Sequence, residues 1–575
     1  MGSRSDIGSI LMADIGSAGT KLGLIDLVDG RYRFVASGRA PTTSQASLGD
    51  VSLGIREACR QIEAVTGRQI LDDGGVMCPE SPDGTGIDLF GVTASCQSAL
   101  RVLAFGMMDV ASLQTALARV NDATAQIIGT VSLQKASPKD EGLLGRILDD
   151  LGRYQPDVLL LVDGADNENR TLISELAHVL SALPAPSDGR RMPVVYSGGS
   201  ASAAVLSELL RGKYDFHPTE SIRGDDTAEE QRALERKLAS LWVDRVATSV
   251  PGFSLVQSWV QMPTLSAAQA QMYVTRFLAR NYECTVWCVD VGAATTSVLV
   301  ATRDSFAPVV REGLGVGQGA VSLLPMAESI ERWLPVHVTA PAIRDLMMNK
   351  RVRPWVLPQS SADLYFETAL ARAAVQSALG NQSEETGTIR PVLLGGLVVG
   401  SGATLAQSPT DGMAALAVLD ALEPAGIASL AVDRHSIFPQ MGALGVSFPA
   451  VATQVLVADG LYRLGTYVAP EGVAGQGDRA VTVAVERSGG IAVEVDVPFG
   501  AVHVIPLSGR EEAQLRVSPH KRLDVGGGPG QAVSLKIRGG SLGVVVDARG
   551  RPIQVPSQPR DRWAKFTQWR DAVGG

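Results

Sequence analysis

The chain has 575 residues, 45% hydrophobic and only 5% aromatic, with a formal net charge of −9 at pH 7. This length is too great for one hydrophobic core, so we expect at least two large domains, and the composition suits alternating strands and helices. The acidic balance argues against nucleic acid as a partner, and no apolar run reaches the roughly 20 residues of a membrane helix, so no membrane span is expected.

The chain is expected to stay in the cytoplasm. Residues 1–9 contain no apolar signal segment, and the five cysteines are scattered among apolar residues, as reduced thiols are. Cys284 and Cys288 lie close together but lack a second Cys or His pair at metal spacing, which does not favour a zinc site.

The first predicted element is a hairpin near the N-terminus. An apolar run at residues 9–13 ends in Asp14, and a second apolar run covers residues 22–27. Glycines in the loop between them let the backbone approach a phosphate, hydroxyl and N–H groups can donate to its oxygens, and the acid can hold hydrated Mg²⁺. The candidate phosphate-binding residues of this loop are Gly16, Ser17, Thr20 and Lys21. Alone, such a loop is also an ordinary polar hairpin tip.

Two predicted strand–turn–helix units follow, at about residues 157–180 and 192–210, and they are typical of a parallel sheet. The first of these strands ends in a polar loop that contains Asp163, Asp166, Asn167 and Asn169. These side chains could bind a ligand, or they could cap the helix and satisfy the turn. The residues alone leave both interpretations open.

The first hairpin pattern is repeated from Val286 onward. An apolar strand ends in Asp290, and a turn of small and hydroxyl residues leads into an apolar return strand. The candidate phosphate-binding residues of this second loop are Gly292, Thr295 and Thr296. Further along the chain, a predicted strand from residue 391 runs into Gly395 and Gly396.

Other nucleotide motifs find little support. The chain has no G-x-x-x-x-G-K-[ST] loop. Residues 315–320 match the dinucleotide pattern G-x-G-x-x-G/A, but no clean buried strand precedes them, which indicates a chance match.

The C-terminal region has a different texture. A stretch rich in Pro and Gly at about residues 469–477 is typical of a linker, and alternating strands with Gly-rich turns follow it. We therefore predict three parts: an α/β domain at 9–283 that carries the strand–helix insertion, a second α/β domain with a closing helix at 284–465, and a β module at 479–556 for partner contact.

The paired hairpins resemble the phosphate loops of the actin-like ATPase superfamily, which includes actin, sugar kinases and the seventy-kilodalton heat-shock chaperones. The resemblance implies a duplicated, ribonuclease-H-like α/β fold that binds ATP or ADP with Mg²⁺ in a cleft. Asp14 and Asp290 would approach the metal from opposite domains and support catalysis, while Gly395 and Gly396 would accommodate the adenosine.

Several segments resemble, in order, the MutL/GlmL family of glutamate mutase accessory proteins, from about residue 9 to residue 460. They include VLLLVDGADNENRTLI, MPVVYSGGS, VVREGLGVGQGA and HSIFPQMGALGVSFPAVATQVL. The third segment maps Glu312 onto the family's acid, which implies that Glu312 orients the attacking water. The chain departs from the family pattern at Ser297, where the second hairpin usually ends in an acid, and in the loop after Val162, which has one glycine fewer.

The family resemblance implies an accessory protein that binds and slowly hydrolyses ATP with Mg²⁺ and that reactivates or chaperones a coenzyme-B12 enzyme, such as a mutase. Two alternatives on the same fold stay open. One is an actin-like scaffold whose assembly is switched by ATP, and the other is a small-molecule kinase.

Overall fold

The computed structural model describes residues 7–43, 49–117, 124–133, 143–163, 170–182, 191–220, 228–380, 392–487, 489–490 and 492–575. The chain divides into two compact units. The first unit joins Met1–Cys96 to Ser258–Gly575, and the second is Gln97–Gln257.

The first repeat of the larger unit is built on a five-stranded sheet with the order β10-β4-β1-β2-β3. Strands β1 to β3 form an antiparallel meander, β4 runs parallel to β1, and β10 runs parallel to β4. The strands are β1 (Ser9–Ile15), β2 (Gly19–Val28), β3 (Arg31–Pro41), β4 (Leu89–Ala94) and β10 (Leu265–Ser266), with helices α1 (Val51–Thr66) and α8 (Ala267–Asn281). Every residue of β1 is buried, which matches its unbroken apolar run.

The second repeat starts an eight-stranded sheet with the order β13-β12-β11-β14-β15-β16-β22-β19. Its first five strands reproduce the meander and the two parallel additions of the first sheet. They are β11 (Val286–Val291), β12 (Thr295–Ala301), β13 (Phe306–Glu312), β14 (Val392–Ser401) and β15 (Ala425–Val432). The same strand order in two sheets confirms the predicted duplicated, actin-like α/β fold.

Helices of the second repeat fill the connections between these strands and follow the last of them. They are a 3₁₀ helix (Gln318–Met326), α9 (Ala327–Arg332), α10 (Ala340–Val352), α11 (Ser361–Gly380), α12 (Ala403–Ala406), α13 (Asp411–Leu422), α14 (Phe438–Ser447), α15 (Pro449–Val455) and a π-helical turn (Leu456–Gly460).

The predicted β-rich C-terminal region is present, and its strands fall into two sheets. Strands β16 (Tyr462–Ala469), β19 (Val502–Ile505) and β22 (Gly543–Asp547) extend the sheet of the second repeat. Strands β17 (Arg479–Arg487), β18 (Ala492–Pro498), β20 (Glu512–Pro519) and β21 (Val533–Arg538) form an antiparallel sheet of their own. The region ends in helix α16 (Pro559–Ala572).

This C-terminal region shares a hydrophobic core with the second repeat. One cluster of buried side chains includes Val289 from β11, Val545 from β22 and Trp569 from α16. The region is therefore joined to the second repeat through both a sheet and a core. The three-part division at 9–283, 284–465 and 479–556 stays a prediction.

The smaller unit contains five parallel strands in the order β6-β5-β7-β8-β9, which is the flavodoxin-like arrangement. They are β5 (Leu100–Gly106), β6 (Ala125–Ser132), β7 (Val158–Val162), β8 (Met192–Ser197) and β9 (Tyr214–Thr219). The helices are α2 (Val110–Leu117), α3 (Leu143–Tyr154), α4 (Arg170–Ala182), α5 (Ser200–Leu210), α6 (Ala228–Ser249) and α7 (Phe253–Trp259), in which the unit ends. Both predicted strand–turn–helix units are present.

At the carboxyl end of β7, the buried Asp163 accepts a hydrogen bond of 2.6 Å from the Tyr196 hydroxyl. The other polar residues predicted for this loop, Asp166, Asn167 and Asn169, lie outside the described residues. Across the described ranges, none of the helices combines the length and apolar character needed to span a bilayer.

Candidate functional site

The two hairpins that join β1 to β2 and β11 to β12 have matching tips. The Gly16 N–H donates to the Gly19 carbonyl at 3.1 Å, and the Gly292 N–H donates to the Thr295 carbonyl at 2.9 Å. A Cβ atom on Gly16 would lie only 2.6 Å from the Gly19 carbonyl oxygen. A side chain at this position would therefore force the turn open, which explains why the loop uses glycine here.

Both tips face one cavity of about 340 Å³. Most of the residues predicted from the two loops line it: Asp14, Gly16, Ser17, Thr20, Lys21, Asp290, Gly292 and Thr295. The structure thus brings together two sets of residues that are far apart in the sequence.

The two aspartates carry the electrostatics of this cavity. Asp14 is 4% exposed, accepts a hydrogen bond of 3.0 Å from the Thr93 hydroxyl, and lies 3.9 Å from the Lys21 ammonium group. Burial raises the pKa of Asp14, Lys21 opposes that rise, and the negative charge of Asp290 adds to it. Burial also raises the pKa of Asp290, against the opposing effects of Lys21 and of a hydrogen bond from Ser401. The two acids therefore repel each other and share one lysine.

These residues fit Mg²⁺ that is bound together with a phosphate. Two acids facing one lysine leave negative charge that a cation would compensate. Among the described residues, no group of three His, Cys, Asp or Glu side chains is arranged to hold a metal, so a complete protein-only site is not present there. Mg²⁺ is usually held by one or two carboxylates, with phosphate oxygens and water completing the octahedron. Asp14 and Asp290 supply that number of carboxylates.

Contacts between the repeats hold the first hairpin in place. The Gln318 side-chain amide donates to the Ser17 carbonyl at 2.7 Å, and the Gln440 amide donates to the Lys21 carbonyl at 3.1 Å. Both glutamines belong to the second repeat, at the starts of the 3₁₀ helix and of α14. Both residues lie in segments that resemble the family, but the sequence did not indicate these contacts, because each joins positions hundreds of residues apart.

The glycine-rich run at residues 315–320 packs against the second hairpin. The Val316 N–H donates to the Gly292 carbonyl, and the Gly317 and Gly319 N–H groups donate to the Ala293 carbonyl. A Cβ atom on Gly315 would approach the Gly292 carbonyl oxygen to 2.5 Å. Close backbone packing therefore accounts for these glycines, in agreement with the chance match to the dinucleotide pattern.

Two predicted residues near the second hairpin do not line the cavity. The Thr296 side chain is fully buried, and its hydroxyl donates to the Leu314 carbonyl at 3.0 Å. Glu312 is exposed at the end of β13, where it pairs with Thr295 across the ladder. Thr296 and Glu312 therefore both lie outside the cavity wall.

Gly395 and Gly396 also lie away from the cavity. They form an irregularity near the start of β14, whereas the parallel register places Asp290 beside Ser401 at the other end of that strand. The β14 residues that line the cavity are Ser401 and the following Gly402, whose φ is 85°. The position expected for the glycine pair at the cavity is therefore occupied by Ser401 and Gly402.

Further cavity residues were not predicted from the sequence. They include Arg39, Ser95, Gln271, Trp355, Glu367 and Gln407. Glu367 is buried on α11, forms an ion pair with Lys350, and accepts a hydrogen bond of 3.0 Å from the Thr404 hydroxyl. The short Gly-Ser-Gly motif at the end of β14 was a signal that could have indicated this side of the cavity.

A third acid lies just behind the second hairpin. Asp433 follows β15, is fully buried, and accepts hydrogen bonds from the Ile437 and Phe438 N–H groups at 2.9 and 3.1 Å. Burial raises the pKa of Asp433 to about 6, although these two hydrogen bonds oppose the rise. This carboxylate also contacts the Ser401 hydroxyl at 3.3 Å, which connects it to the cavity wall.

Comparison with known proteins gives one family match. The model of a family described as MutL protein matches residues 10–459. No curated protein shows significant similarity to the chain.

Many solved structures show distant similarity to this chain, including these three. Nucleotide-free acetone carboxylase is 10% identical with a TM-score of 0.34, covering 86% of this chain and 81% of that chain. A diol dehydratase-reactivating factor in nucleotide-free form is 13% identical with a TM-score of 0.29, covering 79% and 99%. Component A of (R)-2-hydroxyglutaryl-CoA dehydratase from Acidaminococcus fermentans is 10% identical with a TM-score of 0.25, covering 78% and 98%. Likenesses this distant carry no inference about ligand or partner.

Proposed function

This chain belongs to the MutL protein family, and on that premise we propose that it binds ATP with Mg²⁺ between its two repeats and serves another enzyme as an ATP-dependent accessory protein. The observation that carries the nucleotide proposal is the convergence of two acidic hairpins on one cavity. The accessory role rests on the family.

In this proposal, the hairpin tips hold the phosphate groups. Backbone N–H groups and the hydroxyls of Ser17 and Thr295 donate to phosphate oxygens, and Lys21 places a positive charge beside them. Asp14 and Asp290 would hold Mg²⁺, which neutralises phosphate charge when bound. Phosphoryl transfer depends mainly on such positioning and charge stabilisation, so this arrangement supports ATP hydrolysis without a protein nucleophile.

Glu312 remains the residue that the family resemblance assigns to the attacking water. Because it is exposed and outside the cavity wall, this role requires the β12–β13 edge to move toward the cavity. We expect slow hydrolysis whenever that movement is not driven by a partner. The adenosine would extend past Ser401 and Gly402, in place of the predicted glycine pair.

Calorimetric titration tests nucleotide binding directly. ATP and ADP should both bind with Mg²⁺ present, and binding of ATP should weaken in EDTA because the two aspartates then repel the phosphates. An absence of heat and of any thermal shift up to millimolar nucleotide would contradict the proposal.

The client enzyme is tested separately. We propose a coenzyme-B12 enzyme, on the basis of the resemblance to glutamate mutase accessory proteins. A glutamate mutase inactivated by turnover should regain activity when this chain, Mg-ATP and fresh coenzyme are added, and should not regain it with ADP. If ATP instead makes the purified chain sediment as filaments, or lets it phosphorylate a small molecule, the scaffold or the kinase alternative replaces the accessory role.

A further inference from the structure

A second cavity, of about 610 Å³, adjoins the hairpin cavity. The two cavities share four lining residues: Leu357, Glu367, Ala403 and Gln407. These residues lie on α11, on α12 and in the segments beside them. Gly402, which lines the hairpin cavity, directly precedes α12. A nucleotide whose phosphates lie at the hairpins therefore has space for its nucleoside end in this second cavity.

The far wall of the second cavity includes the C-terminal helix. Arg570 of α16 lines it, together with Ser360, Ser408 and Thr410. Helix α16 lies beyond residues 10–459, which are the part of the chain that the family model matches. The wall is thus built partly from a segment that the family match does not include.

Helix α16 is firmly held against the rest of the larger unit. The buried Arg562 guanidinium contacts both carboxylate oxygens of Glu331, at 2.7 and 3.0 Å. The Trp569 indole N–H donates to the Gly500 carbonyl at 2.9 Å, and the Arg549 guanidinium lies 4.9 Å from the centre of the Trp569 ring. These contacts lie one and eight residues from Arg570, so they fix the helix that carries it.

The Arg570 side chain keeps donors available at the cavity. It is 33% exposed, and its terminal nitrogen pairs with the Asp571 carboxylate at 3.2 Å. Its Nε is buried from solvent, and the side chain is also hydrogen-bonded to Tyr365, so the donors left for a ligand are the remaining N–H groups of the terminal nitrogens. A guanidinium has five N–H donors and no acceptor, so it matches the ring-nitrogen acceptors of a purine base. The hydroxyls of Ser408 and Thr410 can both donate and accept on the same wall.

We propose that Arg570 is a specificity-determining residue for the nucleoside end of the ligand, and that α16 thereby completes the nucleotide site. The guanidinium donates to an acceptor on the purine base, at the opposite end of the ligand from the hairpins. The proposal rests on the proposed function, because it requires a nucleotide whose phosphates lie at those hairpins.

The test separates the two ends of the ligand. Parent, Arg570→Met and Arg560→Met proteins are titrated with Mg-ATP and with Mg-tripolyphosphate, which carries the phosphates without the nucleoside. Arg560 is an exposed arginine on the same helix and serves as the matched control. Arg570→Met should bind ATP about tenfold more weakly, since a charge-assisted hydrogen bond is lost, and should bind tripolyphosphate as the parent does. Arg560→Met should match the parent with both ligands.

Equal ATP affinity in Arg570→Met and the parent would overturn the proposal. A parallel loss of ATP and tripolyphosphate binding would overturn it too, because the residue would then act on the whole cleft. If the parent binds neither ligand, the proposed function itself fails. Arg570→Lys, which keeps the charge and the alkyl stem, provides a second variant if Arg570→Met does not fold, and it should show an intermediate loss for ATP alone.

Discussion

The two repeats present the same backbone to the cavity with different charges. Asp14 lies opposite Lys21 in the first hairpin, whereas Asp290 lies opposite Ser297 in the second. The helix that follows the fifth strand is capped by the Ser266 hydroxyl in the first repeat, whereas in the second repeat two backbone N–H groups at its start donate to the Asp433 carboxylate. The first repeat thus carries the lysine, and the second carries an additional buried acid. The two repeats therefore share one backbone geometry, although the charged side chains placed on it differ.

The largest effect is expected when the aspartate that both hairpins contain is replaced. Asp14→Asn and Asp290→Asn should each lower Mg²⁺-dependent ATP turnover about a thousandfold, because each removes one charge from the same metal site. In EDTA, the same variants should bind ATP more tightly than the parent, because a charge that repels phosphate has gone. Asp304→Asn, in the exposed turn between β12 and β13, is the control and should behave as the parent.

If only one of the two aspartate variants loses turnover, the hairpins do not act on one metal. Likewise, if ATP binding falls by the same factor with and without Mg²⁺, the two acids support the fold and do not hold the metal.

A second comparison uses the two ends of β14. Gly402 and Gly395 both have positive φ, 85° and 78°, but a Cβ atom on Gly402 would collide with the Val291 carbonyl, whereas one on Gly395 meets no atom within 4 Å. Gly402→Ala should therefore destabilise the protein by about 3 kcal/mol, and Gly395→Ala by about 1 kcal/mol. Thermal unfolding of the two variants and the parent measures these changes in stability. ATP titration should show weaker binding for Gly402→Ala alone, and weaker binding for Gly395→Ala instead would restore the predicted role of the glycine pair.

The different caps of the two repeats predict a pH dependence. Because burial raises the pKa of Asp433 to about 6, the folded state holds its proton more tightly than the unfolded state. This contribution to stability is complete only below about pH 4 and is lost as the pH rises through about 6. The Asp433→Asn variant has no carboxyl group to titrate at this position. Its free energy of unfolding, relative to that of the parent, should therefore rise by about 2 kcal/mol between pH 4 and pH 7.

Melting temperatures of parent and variant across this pH range provide the measurement. Ser266→Ala, which removes the uncharged cap of the first repeat, should cost about 1 kcal/mol at every pH. A difference between Asp433→Asn and the parent that does not change with pH would exclude this carboxylate as the titrating group.

The smallest expected effect concerns the lysine. Lys21→Met should weaken ATP binding about tenfold, because one partly exposed charge beside the phosphates is lost. Lys536→Met, at an exposed position on β21, is the matched control. Titrations at low and high salt should also show that the Lys21 effect shrinks at high ionic strength. An effect that does not respond to salt would mean that the Lys21 side chain acts by packing.

Local patterns sufficed for the hairpins and failed for contacts that depend on strand register. An apolar run followed by Asp-x-Gly predicted both tips because strand, turn and acid are adjacent in the chain. Gly395 and Gly396 lie away from the cavity, and the sequence could not indicate this because a glycine pair does not reveal which end of a strand it occupies. Only the pairing of Asp290 with Ser401 shows which end of β14 meets the cavity. Asp433 was missed because its relation to Asp290 spans more than a hundred residues.

In the C-terminal region, the hydrophobic pattern of the sequence helps to distinguish the strands of the two sheets. The strands β17 and β18 carry the alternating pattern predicted for a β module, and they lie in one antiparallel sheet with β20 and β21, whereas two further runs predicted from the same pattern form β19 and β22 of the larger sheet. By contrast, all five residues of β22, GVVVD, are buried. Such an unbroken buried run is typical of a strand inside a larger sheet, and β22 indeed lies between β16 and β19.

The place of β22 has a consequence for synthesis of the chain. Strand β16 emerges from the ribosome well before β22, with the whole β17–β21 segment between them. Until Gly543–Asp547 arrive, the outer edge of β16 is an unpaired template for strands of other molecules. A nascent chain that stalls in this interval exposes that edge, and so does a recombinant fragment that stops there. Such fragments should aggregate during expression, whereas chains that extend through α16 should fold with the edge covered.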